Sequence, residues 1–181
     1  MGRAQSAAPV KLLAGLLASA DDLLEQAVRE LCQVFGALDA SSAVTDWNLS
    51  TYYQAEMGSS IRRQFVTFEK LFDPEELPAF KCQTNDMEDT WRTEKGRQVN
   101  IDPGYIATGK LVLASTKDAA HRIYLRGGIY AEVTLHFCNG SFQAYSHSYP
   151  DYAATDAIAF FNRARAVYLS QLRVMARRAE E

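Results

Sequence analysis

Histidine and cysteine are scarce in this chain, whose 181 residues carry three of each. Cys32, Cys82 and Cys138 are odd in number, widely separated and free of any Cys-x-x-Cys or Cys/His cluster, which argues against a disulfide framework and a structural zinc site. Each is read as a small buried hydrophobe in a reducing cytoplasm. No metal site is assigned: Asp102, His121, Glu132 and His147 offer ligand chemistry, but no His-x-His or His-Glu-x-x-His spacing gathers it locally. Positive charge is not in excess either. A net charge of −3 speaks against a general nucleic-acid binder, which needs a basic stripe to neutralise phosphates. No apolar run reaches the ~18 residues of a membrane span, and no internal repeat is visible.

What remains is ordinary globular material, 48% hydrophobic and 23% charged, of a length that suits one core. Residues 1–9 (MGRAQSAAP) are small and polar and read as a flexible tail, leaving 10–181 as a single domain. Lys11–Ala20 (KLLAGLLASA) resembles a signal-peptide apolar region, but its basic flank is thin and a patterned helix follows at once, so it is read as a buried first strand. Met1-Gly2-Arg3-Ala4-Gln5-Ser6 fits the loose myristoylation pattern, which is too short to carry weight.

Val10–Ala18 is predicted as strand one. Ser19 is placed as the cap of a helix in which Leu24, Ala27, Val28, Leu31 and Phe35 recur at helical spacing, with Gly36 as its stop. Val44–Leu49 suggests a second strand, Ser50–Ser60 is ambiguous, and Arg63–Leu71 has the aromatic and branched content of a third. Asp73-Pro74-Glu75-Glu76 is a helix start with cap, proline and capping-box glutamate in place. Leu77, Phe80, Thr84, Met87 and Trp91 would face inward and Gly96 would end that helix. Arg97–Asp102 then gives strand four. The order matches a ferredoxin-like βαββαβ first part, followed by a Pro103-Gly104 turn, an apolar strand at Leu111–Thr116, antiparallel β-hairpins and a C-terminal helix capped by Thr155. The fold class is α+β.

Register in the hairpins follows from their turns. Asn139-Gly140 suits a two-residue turn and sets Phe137 against Phe142, Leu135 against Ala144 and His136 against Gln143; extended further, it sets Thr134 against Tyr145, Glu132 against His147 and Tyr130 against Tyr149. At Gly127-Gly128, a three-residue loop with a bulge is preferred, because it sets Ile123 against Ala131, Tyr124 against Tyr130 and Arg122 against Glu132 and so keeps each face uniform. The result is a polar face bearing Arg122, Tyr124, Tyr130, Glu132, Thr134, His136, Tyr145, His147 and Tyr149.

The segment Asn100-Ile101-Asp102-Pro103-Gly104-Tyr105 resembles the Asn-Leu-Asp-Pro-Gly-Tyr hallmark of an uncharacterised prokaryotic family, domain of unknown function 4416, with Ile101 in the leucine position. Similarity extends to Lys110–Lys117 (KLVLASTK), His121–Leu125 (HRIYL), Gly128–Val133 (GIYAEV) and Tyr149-Pro-Asp-Tyr152, covering roughly residues 10 to 170. The family has no established activity. The resemblance implies that the loops carrying Asp102, Tyr105 and Lys117 share one site with His121 and Glu132.

Gly104–Lys110 has the GxxxxGK spacing of a phosphate loop, but Leu111 stands where Ser or Thr would hold magnesium, and a strand follows where a helix should begin. A phosphate loop is therefore rejected. Two functional readings stay open. In the first, a small anionic ligand, nucleotide-like in character, meets charge from Arg122, Lys110 and Lys117, polar and aromatic contacts from Asn100, Tyr105, Tyr124, Tyr130, His147 and Tyr149, and acid–base capacity from Asp102, His121 and Glu132. In the second, the tyrosine-rich sheet face docks a protein partner. A ligand site should be concave and a docking face broad and flat. Whether the chain is an enzyme, and which cofactor it would use, the residues do not say.

Overall fold

Nine consecutive residues with a single charge among them make the central strand. β1 (Val10–Ala18) is buried at every position, as a continuous apolar run requires when both faces of a strand are covered. Its one charge, Lys11, is neutralised inside the protein: the ammonium pairs with Asp39 and donates to Phe68 O at 2.9 Å, while Thr67 Oγ1 donates to the same aspartate at 2.6 Å.

The computed structural model describes residues 2–180. β1 lies between β4 (Ile61–Phe72) and β5 (Val99–Ile106), antiparallel to both. β2 (Leu38–Ser41) and β3 (Thr45–Trp47) pair with β4 on its outer side. Beyond β5 follow β6 (Lys110–Ser115), β8 (Ile129–Cys138) and β7 (Ile123–Arg126), and β9 (Ser141–Ala144) also joins β8. The first four of these strands along the sheet run β2–β4–β1–β5.

Alternation along β1 splits the core in two. Leu12, Ala14, Leu16 and Ala18 face α1 (Asp21–Phe35) and α3 (Leu77–Thr90), where Leu24, Ala27, Leu31, Phe35 and Phe80 close over them. Phe35 meets Phe68 and Phe80 edge-on, with ring centres 5.7 and 5.1 Å apart. On the other face Leu13, Phe65, Ile106, Leu113 and Leu135 are covered by α5 (Thr155–Glu180) through Phe160, Phe161 and Tyr168, with Ile158 and Leu172 at its margin. Each such side chain contributes about 1.5–3 kcal/mol on burial, before the entropy of ordering it.

The mixed helix-and-strand class, the antiparallel sheet and the closing helix agree with the sequence; several local expectations do not. Helix α1 starts at Asp21 with Ala20 in the cap position, and Ser19 instead donates to Gln98 Oε1 at 3.0 Å. Asp21 and Asp22 in the first turn complement the helix dipole where a cap is missing. The capping box of Asp73 and Glu76 is present, but it opens a single 3₁₀ turn (Pro74–Glu76) before α3 begins. That helix ends at Thr90, six residues before Gly96, whose φ of +119° belongs instead to a tight turn closed by reciprocal Thr93–Gly96 backbone bonds. The second predicted strand shrinks to β3, β2 ahead of it was not foreseen, and the ambiguous stretch holds one helical turn, α2 (Gln54–Met57). Thr155 is the first residue of α5 and not its cap, since Ile158 N bonds back to Ala154 O at 2.9 Å. Cys82 and Cys138 are exposed and Cys32 half-buried, so none is a core residue.

The largest departure is at Pro103-Gly104. No turn forms there; β5 runs straight through, with Ala14 opposite Pro103 and Leu13 opposite Gly104. The proline is tolerated because β6 begins to pair only at Gly104, so the missing N–H removes no ladder bond. Glycine is required by proximity: a Cβ on Gly104 would lie 2.3 Å from Val112 O and 2.6 Å from Leu113 Cδ2. The chain reverses later, where Ala107 N bonds Lys110 O at 2.8 Å, and the GxxxxGK segment is the hairpin joining β5 to β6.

The hairpin registers are those expected, with two differences. The Asn139-Gly140 turn sets Phe137 opposite Phe142 and His136 opposite Gln143, but β9 stops at Ala144 and a turn at Tyr145–Ser148 replaces the pairs predicted beyond it. Ile123 faces Ala131 and Tyr124 faces Tyr130, yet the loop is the two glycines alone and the irregularity falls at Leu125. Positive φ at both Gly127 and Gly128 supplies the turn, and the bulge restores the register. Residues 2–8 are exposed and outside any element, and Pro9 O accepts from Tyr168 Oη at 2.8 Å. None of the described helices is long and apolar enough to cross a membrane.

Replacing Gly104 by valine should cost about 1–3 kcal/mol, the usual penalty for forcing volume into a packed site. Urea denaturation followed by circular dichroism should show a lower midpoint with an unchanged slope. Gly109→Ala, in open space with no positive φ, should shift the midpoint little.

Candidate functional site

β5 stays paired to β1 along its whole length but touches β6 only through Gly104, Tyr105 and Ile106. From Pro103 back to Val99 the two strands part, and the wedge between them is a polar recess of about 90 Å³. Parting leaves the backbone of Ile101 without a strand neighbour on that side. Two charged side chains of α3 take its place: Lys81 Nζ donates to Ile101 O at 2.8 Å, and Glu88 Oε1 accepts from Ile101 N at 2.7 Å. They lie 3.6 Å from each other, both almost fully buried. Burial pushes the Glu88 carboxyl up, against the pull of Lys81.

A second strut reaches in from α2. Arg97 grips Glu56 through two side-chain bonds of 3.0 and 3.1 Å, and its backbone N–H adds a third at 3.1 Å. The Arg97 hydrogen bonds hold Glu56 down to about 2 against the opposing effect of burial. Arg97 also donates to Asn100 Oδ1 at 3.1 Å, and Asn100 Nδ2 donates to Asp102 Oδ2 at 3.0 Å. Asp102 is half-buried on the β5 face opposite Val99 and Ile101; among the described residues its carboxylate has no ion-pair partner.

On the far wall Glu132, 2% exposed, is the hub. It accepts from Arg122 Nε at 2.7 Å and Thr134 Oγ1 at 3.1 Å, and His121 Nε2 sits 3.2 Å away, which assigns the proton to that nitrogen. Arg122 spends its other donors on Ser115 Oγ, Lys117 O and Tyr149 Oη at 2.7–2.9 Å. Burial opposes its charge, and Glu132 with Tyr149 outweighs that opposition, so its pKa rises. Burial, reinforced by the Glu132 charge, raises the Tyr149 phenol. His147 stacks on His121 at 4.4 Å with Nε2 against Val133 O, and Tyr145 stacks on its other side at 5.1 Å. Lys117 is held at the mouth, donating to Tyr52 Oη at 2.8 Å.

The sequence candidates therefore divide. Asn100, Asp102, Lys117, Glu132 and Tyr149 line one recess, with His121, Arg122 and His147 directly behind Glu132. Tyr105 is elsewhere: it points to the other face and packs near Leu77 and Val112. Lys110 begins β6 at the end remote from the recess, exposed. Tyr124 and Tyr130 pack edge-on against each other at 5.3 Å on the outer strands, outside the lining. The continuous tyrosine-bearing face does not form either, because Glu132 and Thr134 are buried and β9 ends early. Sequence reasoning missed Tyr53, Lys81, Asn85, Glu88, Arg97, Ser115 and Thr116, which with Leu113 and Ala114 complete the lining. One signal was there to find: Lys81 and Glu88 are charged yet stand on the same helical face as Leu77 and Thr84. Among the described residues no group of three or more His, Cys, Asp or Glu is placed to hold a metal ion.

The family model of a domain of unknown function, DUF4416, matches residues 8–168, nearly the whole chain. The protein belongs to that family. No curated protein and no solved structure matches it.

Two consequences are measurable. Glu132→Gln leaves Arg122 buried without its counter-charge, a loss of about 3–5 kcal/mol, seen as a fall in Tm. The depressed Glu56 pKa implies stability present above pH ~4.5 and lost as pH falls toward 2, because protonation is easier in the unfolded chain. The stability gap between the natural protein and Glu56→Gln, measured by urea denaturation, should narrow between pH 6 and pH 2.

Proposed function

We propose that the recess between β5 and β6 binds a small polar molecule carrying an anionic group and a hydrogen-bond donor, with Lys117 meeting the anion and Asp102 the donor. The observation that carries this reading is selective engagement. Lys81, Glu88, Arg97, Arg122 and Glu132 are committed to one another or to backbone, whereas Asp102 has only an amide partner and Lys117 only a phenol. Buried, mutually satisfied charges hold shape; the two left over are those free to meet a ligand. Arg122, expected to supply charge to the ligand, is instead a strut.

Size narrows the ligand. Pockets for drug-sized molecules run to about 300–1,000 Å³, and this recess encloses about 90 Å³, enough for a head group and too little for a nucleotide. A small hydroxy acid or a phosphate-bearing fragment suits it. Asp102 would also be the group placed to accept a proton should the ligand be turned over. Docking of a protein on a tyrosine-rich face is the weaker reading, because the exposed tyrosines of the hairpins, Tyr124, Tyr145 and Tyr149, are not joined by a continuous polar face.

Titration of isotope-labelled protein with glycolate, inorganic phosphate and AMP tests the reading. Glycolate or phosphate should shift the Lys117, Asn100 and Tyr149 resonances saturably, with AMP no tighter than phosphate. Lys117→Met should weaken binding at least tenfold, and Asp102→Asn should weaken glycolate more than phosphate. Saturable binding by neither small anion, or full affinity in Lys117→Met, would sink it.

A further inference from the structure

Charges in and around the recess between β5 and β6 come in pairs. Lys81 has Glu88 at 3.6 Å, Arg97 has Glu56 at 3.0 Å and Arg122 has Glu132 at 2.7 Å. Arg63 of β4, whose guanidinium lies over Gly15, has Asp151 at 2.7 Å. Each of these ions is cancelled inside the protein. Two lining residues remain, one of either sign: among the described residues neither Asp102 nor Lys117 is ion-paired, with each other or with any third group. Asp102 is half-buried opposite Gly15 and held by the Asn100 amide at 3.0 Å. Lys117 is exposed at the mouth and held by the Tyr52 phenol at 2.8 Å. Amide and phenol orient the two charges without neutralising either.

We propose that this recess takes a small zwitterion, the head group of a free amino acid, with its ammonium on Asp102 and its carboxylate on Lys117. The inference rests on the anion-and-donor reading above and narrows it: the donor is a cation. A hydroxyl on Asp102 would leave a half-buried carboxylate without a counter-charge, and a simple amine would leave Lys117 without one. A ligand carrying both charges completes both pairs and brings no net charge into the recess. Hydrogen bonds with an ion at each end are about twice as strong as neutral ones. The neighbouring phenols supply no substitute cation. Burial raises the Tyr53 phenol and the negative charge of Asp102 raises it further, so this lining side chain stays neutral. Tyr149 stays neutral likewise, through burial first, then Glu132 and then Asp102, against the pull of Arg122. Volume sets the size of the ligand. About 90 Å³ is the space of about three water molecules, which suits glycine or alanine, and a longer side chain must leave through the mouth beside Lys117 and Tyr52.

Glycine, glycolate and glycinamide share a skeleton and differ in the charges they carry at neutral pH, so they are the probes; the Asn100, Lys117 and Tyr149 resonances of isotope-labelled protein are the readout. Glycine should bind at least tenfold tighter than either of the others. Asp102→Asn should cut its preference over glycolate to about threefold or less, and Lys117→Met should do the same to its preference over glycinamide. Saturable glycolate binding with glycine no tighter would overturn the zwitterion and leave the anion site standing. No saturable shift with any of the three, or with phosphate, would overturn both. A tenfold preference for glycine over glycolate that survives Asp102→Asn would also overturn the proposal. Should either variant fail to fold, the comparison of the three probes on the natural sequence decides it.

Discussion

The backbone of Ile101 is the point on which the architecture turns. A strand interior to a sheet normally gives its N–H and C=O groups to neighbours on both sides, and here one side is missing. Lys81 and Glu88 fill the gap from a helix, so a break in pairing that would otherwise strand two buried polar groups is stable. Because those side chains do the work of a strand, β6 is free to diverge, and divergence creates the wedge into which β5, β6 and β8 all present polar groups.

Charge inside this protein accordingly has one main use. Most of the buried charges are paired or bonded to backbone: Lys11 with Asp39, Lys81 with Glu88, Glu132 with Arg122. Such pairs add little net stability over apolar packing, but losing one partner is expensive, so they fix geometry and do not simply strengthen it. Arg63 follows the pattern, with Asp151 Oδ2 2.7 Å from its Nη2 and the rings of Phe65 and Tyr152 against its guanidinium.

Much of this was legible in the residues, for identifiable reasons. The apolar run of β1, broken only by Lys11, the capping box at Asp73–Glu76 and the Asn139-Gly140 turn each rest on local sterics or local hydrogen bonds, and each appears where expected. The grouping of Asp102, Lys117 and Glu132 rested on the family resemblance, since they stand on β5, after β6 and on β8 and no single hairpin register joins them. What was not legible depends on distant partners. Pro103-Gly104 has the composition of a turn and forms a strand because β1 templates it and β6 must approach closely. Tyr105 was grouped with the site by the family resemblance and Lys110 by its charge, but strand direction carries Lys110 to the far end and alternation carries Tyr105 to the opposite face. Lys81 and Glu88 stand on the inward face of α3, but nothing in that helix reveals that Ile101 lacks a neighbour.

The position of β1 has a further consequence, for biogenesis. Its nine residues leave the ribosome first among the sheet strands, yet its two neighbours lie at residues 61–72 and 99–106. A long apolar strand with both edges open is the kind of segment that seeks any available partner, including another nascent copy. Until synthesis has passed residue 106 the chain cannot sequester it, and the long-range pairing that finally does so is slow by its topology. Newly made chains thus pass through an interval in which their most hydrophobic stretch depends on chaperones or on dilution for protection.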